Sequence, residues 1–234
     1  MRVLSIDCTS KSVSAAIAEN GILIGETFLN IKLTHSETLM PLISELLNNA
    51  RLSLKDIDAF AVTAGPGSFT GVRIGISAVK GMAFANNIPV YSFSTLFAMS
   101  LAFKELRGFS GIICGLMDAR CEQFYNAVFE ISDGKINRIC NDRIIVKTDL
   151  ENELKNKYNN KNIILIGDGA KLFSSMSPNM GNIAPEHLII QRAAGMAIYA
   201  SKKNCELSPV TANELRPVYL RKSQAEREKK LNKM

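Results

Sequence analysis

The chain has 234 residues, 47% of them hydrophobic and 21% charged, enough to build a buried core and too apolar for a low-complexity chain. Five scattered cysteines without a CxxC pair, and an opening MRVLSID that enters a strand pattern directly, argue against a disulfide-stapled secreted domain; with no apolar run long enough to span a bilayer, the expectation is a cytoplasmic protein away from membranes. Most of the formal charge of +6 sits in the basic tail 221–234, where six Lys/Arg face two Glu, so the body is nearly neutral and no dedicated RNA-binding face is indicated. The tail itself reads either as a solvated end or as a contact for RNA or an acidic partner.

In chain order, Val3–Ile6 and Val13–Ala18 are apolar strand patterns, and Asn20-Gly21 is a hairpin signal leading into a third strand, Ile22–Asn30. Thr34-x-x-Glu37 is a capping box opening a helix over residues 36–50, with Leu39, Leu42, Ile43, Leu46 and Leu47 on one face and a kink expected at Pro41. A strand at Ile57–Val62 feeds the glycine-dotted segment Ala64–Ala85, AGPGSFTGVRIGISAVKGMAFA, and a strand at Ile88–Phe93 precedes another helix. The order then repeats. Ile112–Met117, Gln123–Ile131 and Ile136–Val146 read as three strands with Asp133-Gly134 as a hairpin turn, followed by a helix Asp149–Tyr158, a strand Ile163–Ile166, and one long helix over Glu186–Lys202. Three hairpin-linked strands, then helix, strand and helix, occurring twice, predict an α/β protein of two duplicated lobes, each a mixed sheet flanked by helices. The boundary falls in Phe103–Gly111, giving lobes 1–106 and 107–220 before the tail. An acid at the end of each first strand, Asp7 and Asp118, is the layout of the actin, hexokinase and Hsp70 class (ASKHA), whose lobes are ribonuclease-H-like.

The glycine segment fails the phosphate-loop pattern, since no Lys follows Gly71, and the dinucleotide pattern, since Thr70 stands where glycine is needed. It offers a helix of small residues instead. Gly71, Gly75, Ser77, Ala78 and Gly81 recur at helical spacing, and helical glycine costs about 0.5–1 kcal/mol against Ala, which points to close approach of a neighbour. Ser68 and Thr70 are helix-capping candidates. Arg73 lies in the first turn against the helix dipole, either for a partner carboxylate or simply solvated.

That segment, with LSIDCTSKSVSAAI, HSETLMPLI, LMDARCEQFYNAVF, IGDGA and ELRPVYLR, resembles the TsaB (YeaZ) family over essentially the whole chain and in order. The resemblance implies a non-catalytic, shortened paralogue of TsaD. Such a subunit binds TsaD and, with the ATPase TsaE, supports transfer of a threonylcarbamoyl group to N6 of adenosine 37 in ANN-decoding tRNAs, reaching tRNA through the complex. It implies further that the Pro-bearing and small-residue helices form a bundle with TsaD, or a homodimer when TsaD is absent. The partner set so implied is Ser36, Met40, Ile43, Leu47, Gly67, Phe69, Thr70, Gly71, Arg73, Ile74, Gly75, Ser77, Ala78, Gly81 and Met82. No cofactor is firmly expected; ATP or ADP at the interface with TsaD is left open.

The residues leave an alternative open: a self-sufficient ATPase or small-molecule kinase with Asp7 as acid, base or metal carboxylate, Thr9 and Ser10 as donors, and Gly167 and Gly169 against adenosine. Against it, the turn Cys8–Ser12 holds no glycine to wrap phosphate. A third reading is a folded scaffold without a ligand. No catalytic residue and no metal is expected: the catalytic relative uses two histidines at i, i+4, whereas this chain has only His35 and His187, and no HExxH exists. Asp7 should raise the Cys8 thiol pKa, Cys114 reads as core, and Cys121 beside Arg120 is a weak nucleophile signal.

Overall fold

The structure is a computed structural model that describes residues 1–31, 33–104, 106 and 108–221; the tail expectation beyond Arg221 lies outside the described residues. The predicted duplication is present. In the first lobe β1 (Arg2–Asp7), β2 (Val13–Glu19) and β3 (Ile22–Leu29) are antiparallel; α1 (His35–Asn49), β4 (Ala59–Gly65), α2 (Phe69–Phe84), β5 (Val90–Ser94) and α3 (Thr95–Lys104) follow. The sheet runs β3-β2-β1-β4-β5, with β4 parallel to both neighbours. In the second lobe β6 (Gly111–Asp118), β7 (Gln123–Ser132), β8 (Lys135–Arg138) and β9 (Arg143–Val146) precede α4 (Lys147–Tyr158), β10 (Ile163–Ile166), α5 (Ala170–Met176), β11 (Asn182–Ile183), α6 (Glu186–Ile189) and α7 (Ala194–Ser201). Its sheet runs β8-β7-β6-β10-β11, the same order element for element, with β9 also paired to β7.

Alternation along β1 and β4 divides the first lobe's core into two layers. Leu4, Ile6, Phe60 and Val62 face α1 and α2, while Val3, Ala59 and Ala61 face α7. The helix of the capping box starts as expected: the Glu37 carboxylate accepts from the Thr34 N–H at 3.2 Å, and α1 continues through Pro41. Burial of Leu39, Leu42, Ile43, Leu46 and Leu47, at about 1.5–3 kcal/mol each, fixes α1 on the sheet.

Two expected elements break. The strand over 136–146 is two strands, because at Ile139 and Cys140 both N–H groups turn to the single Val128 carbonyl before pairing with β7 resumes. The helix over 186–202 is also two. Around Ala193 the backbone is held by sheet-1 hydroxyls, Ser14 Oγ accepting its N–H at 2.9 Å and Ser5 Oγ donating to its carbonyl at 2.7 Å. Thus α7 packs on β1 and β2 of the first sheet. The segment after it stays with that lobe: Val210 bridges Val90, and the Val218 N–H donates to the Ala64 carbonyl at 2.7 Å. No helix among the described residues is long and apolar enough to cross a membrane.

Candidate functional site: a helix face and an interlobe cleft

The β4–α2 turn is built around its own chain. Ser68 caps α2, its Oγ accepting the Gly71 N–H at 3.2 Å, whereas Thr70 lies inside the helix with an exposed side chain. The Ser68 N–H donates to the Thr9 carbonyl at 2.8 Å. A Cβ on Gly67 would stand 2.4 Å from that carbonyl oxygen, and one on Gly71 would stand 1.9 Å from the Cys8 carbonyl oxygen. Where a phosphate loop holds phosphate, this turn holds the β1–β2 loop.

Burial sorts the expected partner residues into two groups. Gly71 and Gly75 point inward, a Cβ on Gly75 lying 3.6 Å from Cys8 Cβ, and Ile43 and Leu47 are in the same core; these four are taken by the lobe itself and supply no side-chain surface to a partner. Gly67 and Phe69 are half-buried beneath Thr9 and Tyr219. Ser36, Met40, Thr70, Arg73, Ser77 and Gly81 are exposed, with Ile74, Ala78 and Met82 half-exposed between them, and open space surrounds Gly81. Phe84, 64% exposed at the end of α2, extends the apolar part of this helix, and Met40 on α1 is 48% exposed. The signal for Phe84 was available, a large apolar residue four positions after the polar Lys80. Arg73 is solvated and has an internal partner besides: its Nε donates to the Tyr219 hydroxyl at 2.8 Å, and the Tyr219 ring stacks on Phe69 at 4.5 Å.

Between the lobes lies a cleft of about 660 Å³, walled by Thr9, Ser10 and Lys11 on one side and Asp118, Arg120 and Asp168 on the other. Asp7 is not in it. The residue is 1% exposed, with Oδ1 accepting the Thr9 N–H at 2.9 Å and the Thr9 hydroxyl at 2.8 Å. Burial pushes its pKa up against those bonds. Oδ2 has no hydrogen-bond partner; the Thr63 hydroxyl is close enough to favour the anion without bonding it. Asp118 ends the equivalent strand and makes the equivalent turn, accepting the Arg120 N–H at 2.7 Å, but it is exposed.

Gly167 and Gly169, offered as adenosine contacts, are closed by their own lobe. A Cβ would meet the Leu116 carbonyl oxygen at 2.0 Å or the Asp118 nitrogen at 3.0 Å. Asp168 between them opens to the cleft, where desolvation, with a smaller contribution from the Asp118 charge, raises its carboxyl to about 6 even though cleft water reaches the residue. His35 Nε2 lies 2.7 Å from the Ser10 carbonyl, so that nitrogen carries the proton, while His187 lies on the wall of an apolar pocket between α3 and α7. Among the described residues no three His, Cys, Asp or Glu side chains gather into a metal-ligand group. Burial first, then Asp7, drives the Cys8 thiol pKa up, and burial takes Cys114 to about 12.

The family model for TsaD, tRNA N6-adenosine threonylcarbamoyltransferase, matches residues 29–230. The tRNA threonylcarbamoyladenosine biosynthesis protein TsaB of Bacillus subtilis is 27% identical over 97% of this chain and 96% of its own length. The chain belongs to this family, in its TsaB (YeaZ) branch. YeaZ from Pseudomonas aeruginosa, 23% identical, superposes with a TM-score of 0.78 over 94% of this chain and 99% of its own, which shows a TsaB fold. Ethanolamine utilization protein EutJ from Carboxydothermus hydrogenoformans, 11% identical, reaches 0.50 over 85% of this chain and 90% of its own, a likeness of fold.

Proposed function

We propose that this TsaB-family chain is a non-catalytic subunit in tRNA threonylcarbamoyladenosine biosynthesis, binding TsaD through the exposed face of α1 and α2 and acting with TsaE on adenosine 37 of ANN-decoding tRNAs. The observation that carries the reading is the α2 surface itself: Ser77, Ala78 and Gly81 leave a shallow, side-chain-poor strip, flanked along the helix by Met82 and Phe84, on which a partner helix can approach closely. In the absence of TsaD the same face would pair with a second copy. The kinase alternative is disfavoured because a carboxylate that meets metal-bound phosphate must be reachable from the cleft, and Asp7 is sealed. On this reading ATP or ADP would sit at the interface with TsaD and not on Asp7.

The test is an omission assay: TsaD, TsaE, a threonylcarbamoyl-adenylate supply, ATP and an ANN-decoding tRNA, with and without this chain. Modification that depends on the chain, with no ATP hydrolysis by the chain alone, is expected. Equal modification in both reactions would remove the subunit role.

A further inference from the structure

The sequence shows a neutral body and a basic tail, and folding changes that division. Lys11, Arg73 and Arg120 are far apart in the chain, yet they wall one cleft, and Arg221 reaches the same cleft by donating from its guanidinium to the Ala119 carbonyl. Four cations thus face the carboxylates of Asp118 and Asp168 alone. Lys11 and Arg120 are exposed and form no ion pair among the described residues. Lys11 is near enough to Asp168 to favour its anion, but neither cation is tied into a salt bridge.

The form of the site selects the kind of anion. A mononucleotide is usually gripped by a nest of backbone N–H groups on open glycines. Here the glycine turn is filled by the Thr9 and Cys8 carbonyls, and the opposite glycines are filled by β6. What remains is a set of separated long cations, which suits a chain of phosphates contacted one at a time. Phe69 lines the cleft and carries the Tyr219 ring stacked on it, 39% exposed and beside Arg73, so aromatic surface of the sort that meets unpaired bases lies near the cations.

We infer that the interlobe cleft is an RNA-phosphate site, with Lys11 and Arg120 as its principal contacts and Arg221 at its edge. The inference rests on the proposed role in tRNA modification and specifies where this subunit touches the substrate.

The experiment is fluorescence anisotropy of a labelled ANN-decoding tRNA with the full chain across a salt series, repeated with the double variant Lys11→Glu, Arg120→Glu, and with Lys155→Glu on α4 as a charge control. The double variant should bind at least about tenfold more weakly near 0.1 M salt and lower the salt slope by about two, as expected for two lost phosphate contacts. The control should stay within about twofold, and millimolar ATP should not displace the RNA. The milder Lys11→Gln, Arg120→Gln pair should shift affinity in the same direction, and thermal melts verify that each variant is folded. Unchanged affinity in folded double variants, or an equal loss with Lys155→Glu, overturns the inference. Displacement by ATP overturns it in favour of a nucleotide cleft. If the omission assay still requires this chain while the double variant keeps wild-type RNA affinity, the RNA site falls and the subunit reading stands; if the chain is dispensable yet the cleft binds RNA, the reverse holds.

Discussion

The two lobes share one strand order, but their helical layers differ in what they show to solvent. On the second lobe α4 is covered by ion pairs, with Glu151 between Lys147 at 3.3 Å and Lys155 at 2.7 Å, and Glu153 beside Lys157 and Arg143. Pairs of this type add only a few tenths of a kcal/mol each and mark a solvated surface. The equivalent α1 of the first lobe exposes Met40 and has no such i, i+4 pair among the described residues. The second helices diverge further: α2 has 16 residues and a strip of small ones, whereas α5 has 7. A duplicated topology therefore does not duplicate a docking surface, because the surface depends on outward positions that the sheet order does not constrain.

The sharpest test of the shared part is to crowd, in each lobe, a glycine of the strand-to-helix passage where it meets the first strand: Gly71 in the first turn of α2 and Gly167 in the turn before α5. Gly71→Ala and Gly167→Ala each place a Cβ about 2 Å from a backbone oxygen of the strand-end segment below. Both should destabilise by about 3 kcal/mol or more, measured by urea denaturation. A mild loss at one turn only would show that the two lobes are not built alike there.

Next in size is the contrast along α2. Gly75→Leu overfills the core around Cys8 and Val62 and should cost about 1–3 kcal/mol, while Gly81→Leu, in open space, should stabilise the helix by up to about 1 kcal/mol. Only the second is expected to weaken TsaD binding in calorimetry with a folded protein, by about tenfold or more. Wild-type affinity for Gly81→Leu would move the interface off α2.

The smallest effect concerns Asp168. Its folded pKa, about 6, lies above its ordinary 3.8, so the native state binds the proton more tightly, and the residue costs stability as pH rises through that window. Asp168→Asn should match wild type in melting temperature near pH 4 and exceed it increasingly up to pH 6, with a constant gap above. The gap will be small because cleft water reaches the carboxylate. A pH-independent gap would contradict the shifted pKa.

Much of the architecture was legible. The apolar Val3–Ile6 and Val13–Ala18 runs, the Asn20-Gly21 turn and the capping box at Thr34 each state their own local structure. The breaks within 136–146 and 186–202 were not, since both arise from distant partners: Val128 takes two N–H groups, and Ser5 and Ser14 capture Ala193. In the candidate site, glycine spacing along α2 was visible but its direction was hidden, because a residue without a side chain carries no hydropathy to mark inside from outside. Gly75 and Gly81 look alike in sequence and face opposite ways. The cationic cleft had no sequence signal, as its members come from four separate segments.

The clasp of Ser5 on Ala193 joins residues 188 positions apart, and α7 fills the layer against Val3, Ala16 and Ala61. On the ribosome, the first strand therefore emerges long before the helix that covers it. The lobe made earliest is finished late, and its hydroxyl-bearing face waits exposed while the second lobe is synthesised. A premature stop near residue 190 would thus remove nothing from α1 or α2 and still leave the lobe that carries them uncovered.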